Sequence, residues 1–183
     1  MAHKEQTEFV ELVKSKFPKN FNNCKVVEFG SLNINGTIRI LFQNCDYIGV
    51  DLAMGEGVDI ISKCHEFLSF GFDTVISCEM LEHDPFWIKS LRNMYNILNI
   101  EGLMVFSCAT IGRHEHGTLR TTPEDSPFTA SWDYYMNLEQ NDIEYAFNFK
   151  INDLFEEYHF SVNDTTHDLY FYGIKKESNK FLI

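Results

Sequence analysis

At 183 residues, with 44% hydrophobic and 23% charged side chains and 4 prolines, the chain has room for one domain with a real core; a folded single domain without a second catalytic domain is expected, and a disordered chain is excluded. Aromatic residues make up 15%, including 17 Phe and 8 Tyr, so large rigid rings supply much of the apolar surface to be buried. The net charge of −12, from 15 Lys and Arg against 27 Asp and Glu, repels phosphate backbones and excludes generic nucleic-acid binding.

Phe9, Leu12, Val13 and Phe17 recur at helical spacing and predict an amphipathic helix from about Gln6 to Phe17, stopped by Pro18 and Asn20. The stretch Met1-Ala2-His3-Lys4-Glu5-Gln6 has no apolar run behind a basic start, and no segment approaches the roughly 18–20 apolar residues of a membrane span. A cytoplasmic protein without a membrane partner is expected. Lys25–Phe29 reads as a strand halted by Gly30, followed by a polar loop through Asn35-Gly36 and a helix carrying Ile38, Ile40, Leu41 and Phe42. Tyr47–Val50 ending in Asp51, Val58–Ile61 and Phe72–Cys78 are further strands, with Met54–Gly57 as a turn.

Asp84-Pro85 has the form of a helix start, an acid at the cap and proline at the first helical position, and predicts a helix to about Leu98. Gly102–Ser107 is a fifth strand; a helix near Asp142–Phe149 and two strands, Tyr158–Asn163 and Leu169–Ile174, close the chain as an antiparallel hairpin. Continuous apolar strands alternating with helices imply an α/β three-layer sandwich with a mostly parallel sheet. The expected organisation is a single domain over residues 1–183: an N-terminal helix at 6–17, a ligand-binding core at 24–108, a loop or lid at 109–136, and a C-terminal helix and hairpin at 137–175. The lid is long for a segment without apolar period, which marks it as functional or mobile. No internal repeat is evident. Cys24, Cys45, Cys64, Cys78 and Cys108 are odd in number, scattered and without C-x-x-C spacing, and read as small buried thiols in a reducing compartment.

In an open α/β sheet, ligands bind at the carboxyl ends of the strands, so the polar residues there carry the chemistry. Gly30 permits close backbone approach, and Asp51 stands at the tip of the second strand, at the spacing where a carboxylate accepts from both ribose hydroxyls. Glu28 would repel a pyrophosphate beside that loop and suits a cationic ligand instead. S-adenosylmethionine, with an ammonium, a sulfonium and no phosphate, meets those demands.

Four motifs in order then resemble the class I S-adenosylmethionine-dependent methyltransferases over roughly residues 24–175: Val26-Val27-Glu28-Phe29-Gly30-Ser31 through Asn35-Gly36-Thr37, Tyr47–Leu52, Phe72–His83, and Leu98–Phe106. The resemblance, to methyltransferase type 11-like domains, implies a Rossmann-like, seven-stranded sheet of order 3-2-1-4-5-7-6 with a C-terminal antiparallel hairpin. It implies that Glu28, Gly30, Ser31, Asn35 and Gly36 form the glycine loop at the methionyl end, that Asp51 holds the ribose, that Leu52 lies on the adenine, and that Glu79 and Met80 contact the cofactor. Lys63 stands where many relatives carry an adenine-binding Asp, which leaves the backbone around Cys64 and His65 for that role. Ser31 to Asn35 replaces the usual closely spaced further glycines.

Glu79-x-x-Glu82-His83 has two readings: a turn of chain over the cofactor, or a divalent-metal site. Some relatives, ubiquinone-biosynthesis O-methyltransferases and small-RNA 3′-terminal 2′-O-methyltransferases, are similar in this motif and hold a metal there with a further histidine. Here the candidate metal set is Glu79, Glu82, His83 and His116. His114 and His116 are read as a solvated turn, as general bases beside His83, or as ligands, since an imidazole titrates near neutral pH. Arg113 and Arg120 are candidate clamps for an acidic acceptor, and Trp132, Tyr134 and Tyr135 are candidates for lid packing, with acceptor stacking by Tyr135 as the alternative. The resemblance implies a transferase that methylates a small-molecule acceptor at oxygen, releasing S-adenosylhomocysteine. A catalytically silent cofactor-binding or scaffolding module and a metal-assisted RNA 2′-O-methyltransferase are the competing readings.

Overall fold

The computed structural model describes residues 4–177, so Met1–His3 of the stretch read for a leader lie outside the described residues. Helix α1 (Lys4–Lys16) precedes β1 (Lys25–Phe29), β2 (Asp46–Asp51), β3 (Ile60–Ile61) and β4 (Phe72–Cys78); α2 (Trp87–Ile97) then leads into β5 (Leu98–Ala109), and α3 (Gln140–Ala146) and α4 (Ile151–Leu154) precede β6 (Phe155–Asn163) and β7 (Asp168–Lys175). The strands form one seven-stranded sheet in the order β3-β2-β1-β4-β5-β7-β6. β1 to β5 run parallel, and β7 is antiparallel to both β5 and β6. The order reverses between β1 and β4, which places a ligand crevice at the carboxyl ends of those strands.

Side chains alternate across each strand, so the sheet has two apolar faces. Val27, Phe29, Val75, Met104 and Phe106 face α2, α3 and α4, while Val26, Ile76, Leu103 and Val105 face α1. Phe9, Val10 and Val13 anchor α1 on the second face; burying each such side chain contributes about 2 kcal/mol. Leu12, expected on that face, is 63% exposed, and Val10 takes its place.

The helix expected after β1 is one 3-10 turn, Ile38–Leu41, started by the Thr37 hydroxyl accepting from the Arg39 amide at 3.1 Å. Ile40 is 75% exposed there. The span between the loop and β2 is too short for the several turns a helix needs to offset its nucleation cost. Asp84 does not cap α2 directly: its carboxylate accepts from the Phe86 amide at 2.8 Å and from the buried Ser90 hydroxyl, and the helix begins after that turn. Among the described residues no helix is long and apolar enough to cross a membrane.

Candidate active site

A cleft of about 690 Å³, including its solvent mouth, opens where the strand order reverses. Gly30 forms its floor with φ +76°, and a Cβ there would stand 2.8 Å from the Met80 Cβ, so the close approach of the β1 and β4 ends requires glycine. Asp51 reaches the wall from the tip of β2. Its Oδ2 accepts from the Leu32 amide at 3.0 Å and its Oδ1 from the Leu52 amide at 2.7 Å, which fixes the carboxylate while burial raises its pKa. Leu52, Cys64, Glu79 and Met80 line the same cleft.

Other cofactor candidates fall elsewhere. Alternation along β1 turns Glu28 to the α1 side with Val26, away from the cleft that Phe29 lines. There the Tyr47 hydroxyl donates to Glu28 Oε2 at 2.8 Å, and burial pushes the carboxyl up to about 7. Ser31 is buried under the turn at Gly57, Asn35 and Gly36 are exposed outside the cleft, and His65 packs its ring on Phe86 at 4.5 Å. Leu32 and Ile34 line the cleft where the glycine loop was expected to.

The opposite wall is the segment Asp125–Thr129 with Trp132. Sequence periodicity missed its part in the cleft because it carries only two short 3-10 turns, Pro123–Asp125 and Ala130–Trp132; its isolated aromatics, Phe128 and Trp132, were the available signal. Phe128 reaches within 3.7 Å of the Cβ position of Gly55, closing the crevice between this segment and the β2–β3 turn.

At the inner end of the cleft, Glu79 takes a left-handed conformation, φ +54°, directly after β4, a strained placement that sets its carboxyl among buried groups. Glu82, His83 and His116 each bring one ligand atom within 4.8 Å of the others; Glu79 is not part of that set. Glu82 is fully buried and neither of its oxygens has a hydrogen-bond partner, nor has His83 Nδ1. His116 Nδ1 bonds to the His114 carbonyl at 3.1 Å, which leaves Nε2 with the lone pair. Burial and the neighbouring His116 hold His83 down at about 3, burial lowers His116, and burial with Glu79 nearby raises Glu82 well above the carboxylate range. The set therefore consists of two neutral imidazoles and an acid short of a positive charge. These residues fit a divalent cation, and the mixed nitrogen and oxygen donors suit Mn²⁺, Fe²⁺ or Zn²⁺ better than Mg²⁺. Tyr135 packs over both imidazoles, 5.4 Å from His83 and 5.0 Å from His116, with its buried hydroxyl unpaired.

A second, open cleft lies beyond His116, lined by Arg113, His114, Thr166, His167, Asp125 and Glu5 among others. Of the expected clamps, Arg113 donates to the Thr166 carbonyl at 2.6 Å and to buried Asp168 at 3.3 Å, tying the lid to the hairpin. Arg120 is paired on the surface with Glu115 and Asp133 and lines neither cleft.

No family model matches the sequence, and no curated protein does. Solved structures do match. The carbon methyltransferase CurJ superposes with TM-score 0.64 at 12% identity over 93% of this chain and 54% of that one, so this chain spans about half its length. An S-adenosylmethionine-dependent methyltransferase from Clostridium acetobutylicum gives 0.60 at 12% identity over 96% and 93% of the two chains. The 1,6-didemethyltoxoflavin-N1-methyltransferase of Burkholderia thailandensis, with S-adenosylhomocysteine bound, gives 0.58 at 12% identity over 97% and 92%. This is the class I methyltransferase fold. Within that methyltransferase fold, Gly30 follows β1 at the switch point, Asp51 ends the neighbouring β2, and the Glu82, His83 and His116 cluster stands between the two clefts.

Proposed function

We propose that residues 4–177 act as one S-adenosylmethionine-dependent methyltransferase unit that methylates a small-molecule acceptor at oxygen, with a divalent cation held by Glu82, His83 and His116. The observation that carries the reading is the meeting of two clefts at the His83 and His116 rings, whose centroids lie 4.9 Å apart. The methyltransferase fold and the bound S-adenosylhomocysteine of the Burkholderia thailandensis neighbour support the cofactor.

When bound, S-adenosylmethionine would supply an electrophilic methyl on its sulfonium, and a divalent cation held by Glu82, His83 and His116 would supply Lewis acidity toward an acceptor hydroxyl. Asp51, oriented by two backbone amides, keeps lone pairs for ribose hydroxyls. Leu52 and the Cys64 region flank the space for the base. Asp125–Thr129 and Trp132 line the wall of the crevice, where they would shield a bound cofactor from water. Tyr135 places an unpaired hydroxyl beside the cluster, where it orients an acceptor oxygen. The mixed charge of the second cleft, Arg113 and histidines against Glu5, Glu115 and Asp125, suits a small polar molecule and lacks the positive rim an RNA site needs.

Calorimetric titration with S-adenosylmethionine and S-adenosylhomocysteine, with NAD as control and with Mn²⁺ or Mg²⁺ present or absent, tests the reading. Both adenosyl ligands should bind and NAD should not; Asp51→Ala should weaken binding at least about tenfold, about 1.4 kcal/mol. Mn²⁺ should bind the protein and lose that binding in Glu82→Gln. Absence of binding by either adenosyl ligand overturns the enzyme reading in favour of a silent scaffold.

A further inference from the structure

The segments Phe21-Asn22-Asn23-Cys24 and Phe42-Gln43-Asn44-Cys45 share the pattern Phe-x-Asn-Cys and stand 21 positions apart. The register of β1 on β2, Lys25 beside Asp46, has the same offset, so each residue of one segment lies beside its counterpart. The Phe21 and Phe42 rings stack at 4.5 Å, and Asn22 bridges Gln43. Asn23 and Asn44 are both left-handed, with φ 52° and 53°, and turn the chain into the two strands in the same way. Backbone bonds from Gln43 to the Phe21 carbonyl, from Asn23 to the Gln43 carbonyl and from Asp46 to the Cys24 carbonyl, all 2.9 to 3.0 Å, lock the two turns together. Cys24 Sγ and Cys45 Sγ consequently lie 3.3 Å apart.

We propose that Cys24 and Cys45 are a reversible disulfide site, closed by a low-molecular-weight disulfide such as oxidised glutathione and reopened by thiols. Half-exposed Cys45 is the entry point and buried Cys24 the resolving thiol. The Cys45 thiolate attacks one sulfur of oxidised glutathione; that sulfur–sulfur bond breaks, a mixed disulfide forms and one glutathione thiolate leaves. The Cys24 thiolate then attacks the Cys45 sulfur, and the second glutathione thiolate leaves. Two cysteine thiols are oxidised, one glutathione disulfide is reduced, and the two cysteine protons end on the two released glutathiones. The sulfurs need to approach from 3.3 Å to about 2.05 Å, a shift that side-chain rotation supplies between neighbouring strands. Burial and the adjacent Cys45 push the Cys24 thiol up to about 12, which accords with attack by Cys45 first. The pair lies at the amino ends of β1 and β2, at the far end of these strands from Asp51, so closure staples the sheet without entering the candidate cleft.

The full chain is incubated with oxidised glutathione, quenched with an alkylating reagent under denaturing conditions, and weighed intact and after proteolysis. The reduced protein should take five alkyl groups and the oxidised one three, with the Cys24 and Cys45 peptides linked within one chain. Cys24→Ser should instead retain one glutathione on Cys45, and Cys45→Ser should show neither product. The linked protein should unfold roughly 5–10 °C above the reduced one, because the bond closes a loop in the unfolded chain. Five alkylatable thiols after oxidation, a link through Cys64, Cys78 or Cys108, a link between two chains, or a linked protein that melts no higher than the reduced one overturns the proposal.

Discussion

Two acids stand near the carboxyl ends of adjacent strands and have opposite fates. Asp51 faces the cleft and is held by backbone amides, whereas Glu28 is turned into the α1 side of the sheet against Tyr47. The buried Glu28 carboxyl, raised from 4.5 to about 7, keeps its proton in the folded state after the unfolded chain has released it. The folded state then binds more protons across that window, so stability falls as pH rises: the contribution is fully present below about 4.5 and lost above about 7, on the order of 3 kcal/mol. Glu28→Gln should remove that slope and raise stability at about pH 8 relative to the wild type, while the two differ little at about pH 5, read by urea unfolding. Equal pH dependence in the two proteins would show that Glu28 is not buried in this way.

At the scale of elements, the segment between β5 and α3 has little regular structure yet is pinned at both ends. Thr110 donates to the His167 carbonyl at 2.8 Å, Met136 to the Glu82 carbonyl at 2.9 Å and Leu138 to the Ala109 carbonyl at 2.9 Å. Gly117 sits at its tightest point, with φ +67°, and a Cβ there would meet His83 Cε1 and Ser126 Cβ, both at 2.7 Å. Gly117→Ala should displace His83 from the cluster and lower Mn²⁺ affinity about tenfold or more, with about 1 kcal/mol of global stability lost to the left-handed backbone. Calorimetry with Mn²⁺, beside circular dichroism to check the fold, measures both; unchanged affinity would mean that the turn does not position the cluster.

For the whole molecule, the charge of −12 gives a self-repelling surface that salt screens. The unfolding temperature should rise by a few degrees between about 10 mM and about 200 mM NaCl, and a decrease would mean that attractive pairs such as Arg39 with Asp59 and Lys16 with Glu157 dominate instead. The same field repels a phosphate backbone.

By itself, the sequence determined the strands, their parallel and antiparallel halves, Gly30, Asp51, and the Glu79 to His83 string, because strand periodicity and the chemistry of strand ends are local properties. The helix expected at Ile38–Phe42 is one short turn that buries Ile38 and Leu41 and leaves Ile40 exposed. Only the tertiary structure decided which acid faces the cleft, that Glu79 stays outside the set formed by Glu82, His83 and His116, that Arg113 is tied to Asp168, and that Cys24 meets Cys45. Those outcomes depend on strand register, on which face of the sheet a residue lands, and on how a long unpatterned segment folds back, and each joins residues distant in the chain.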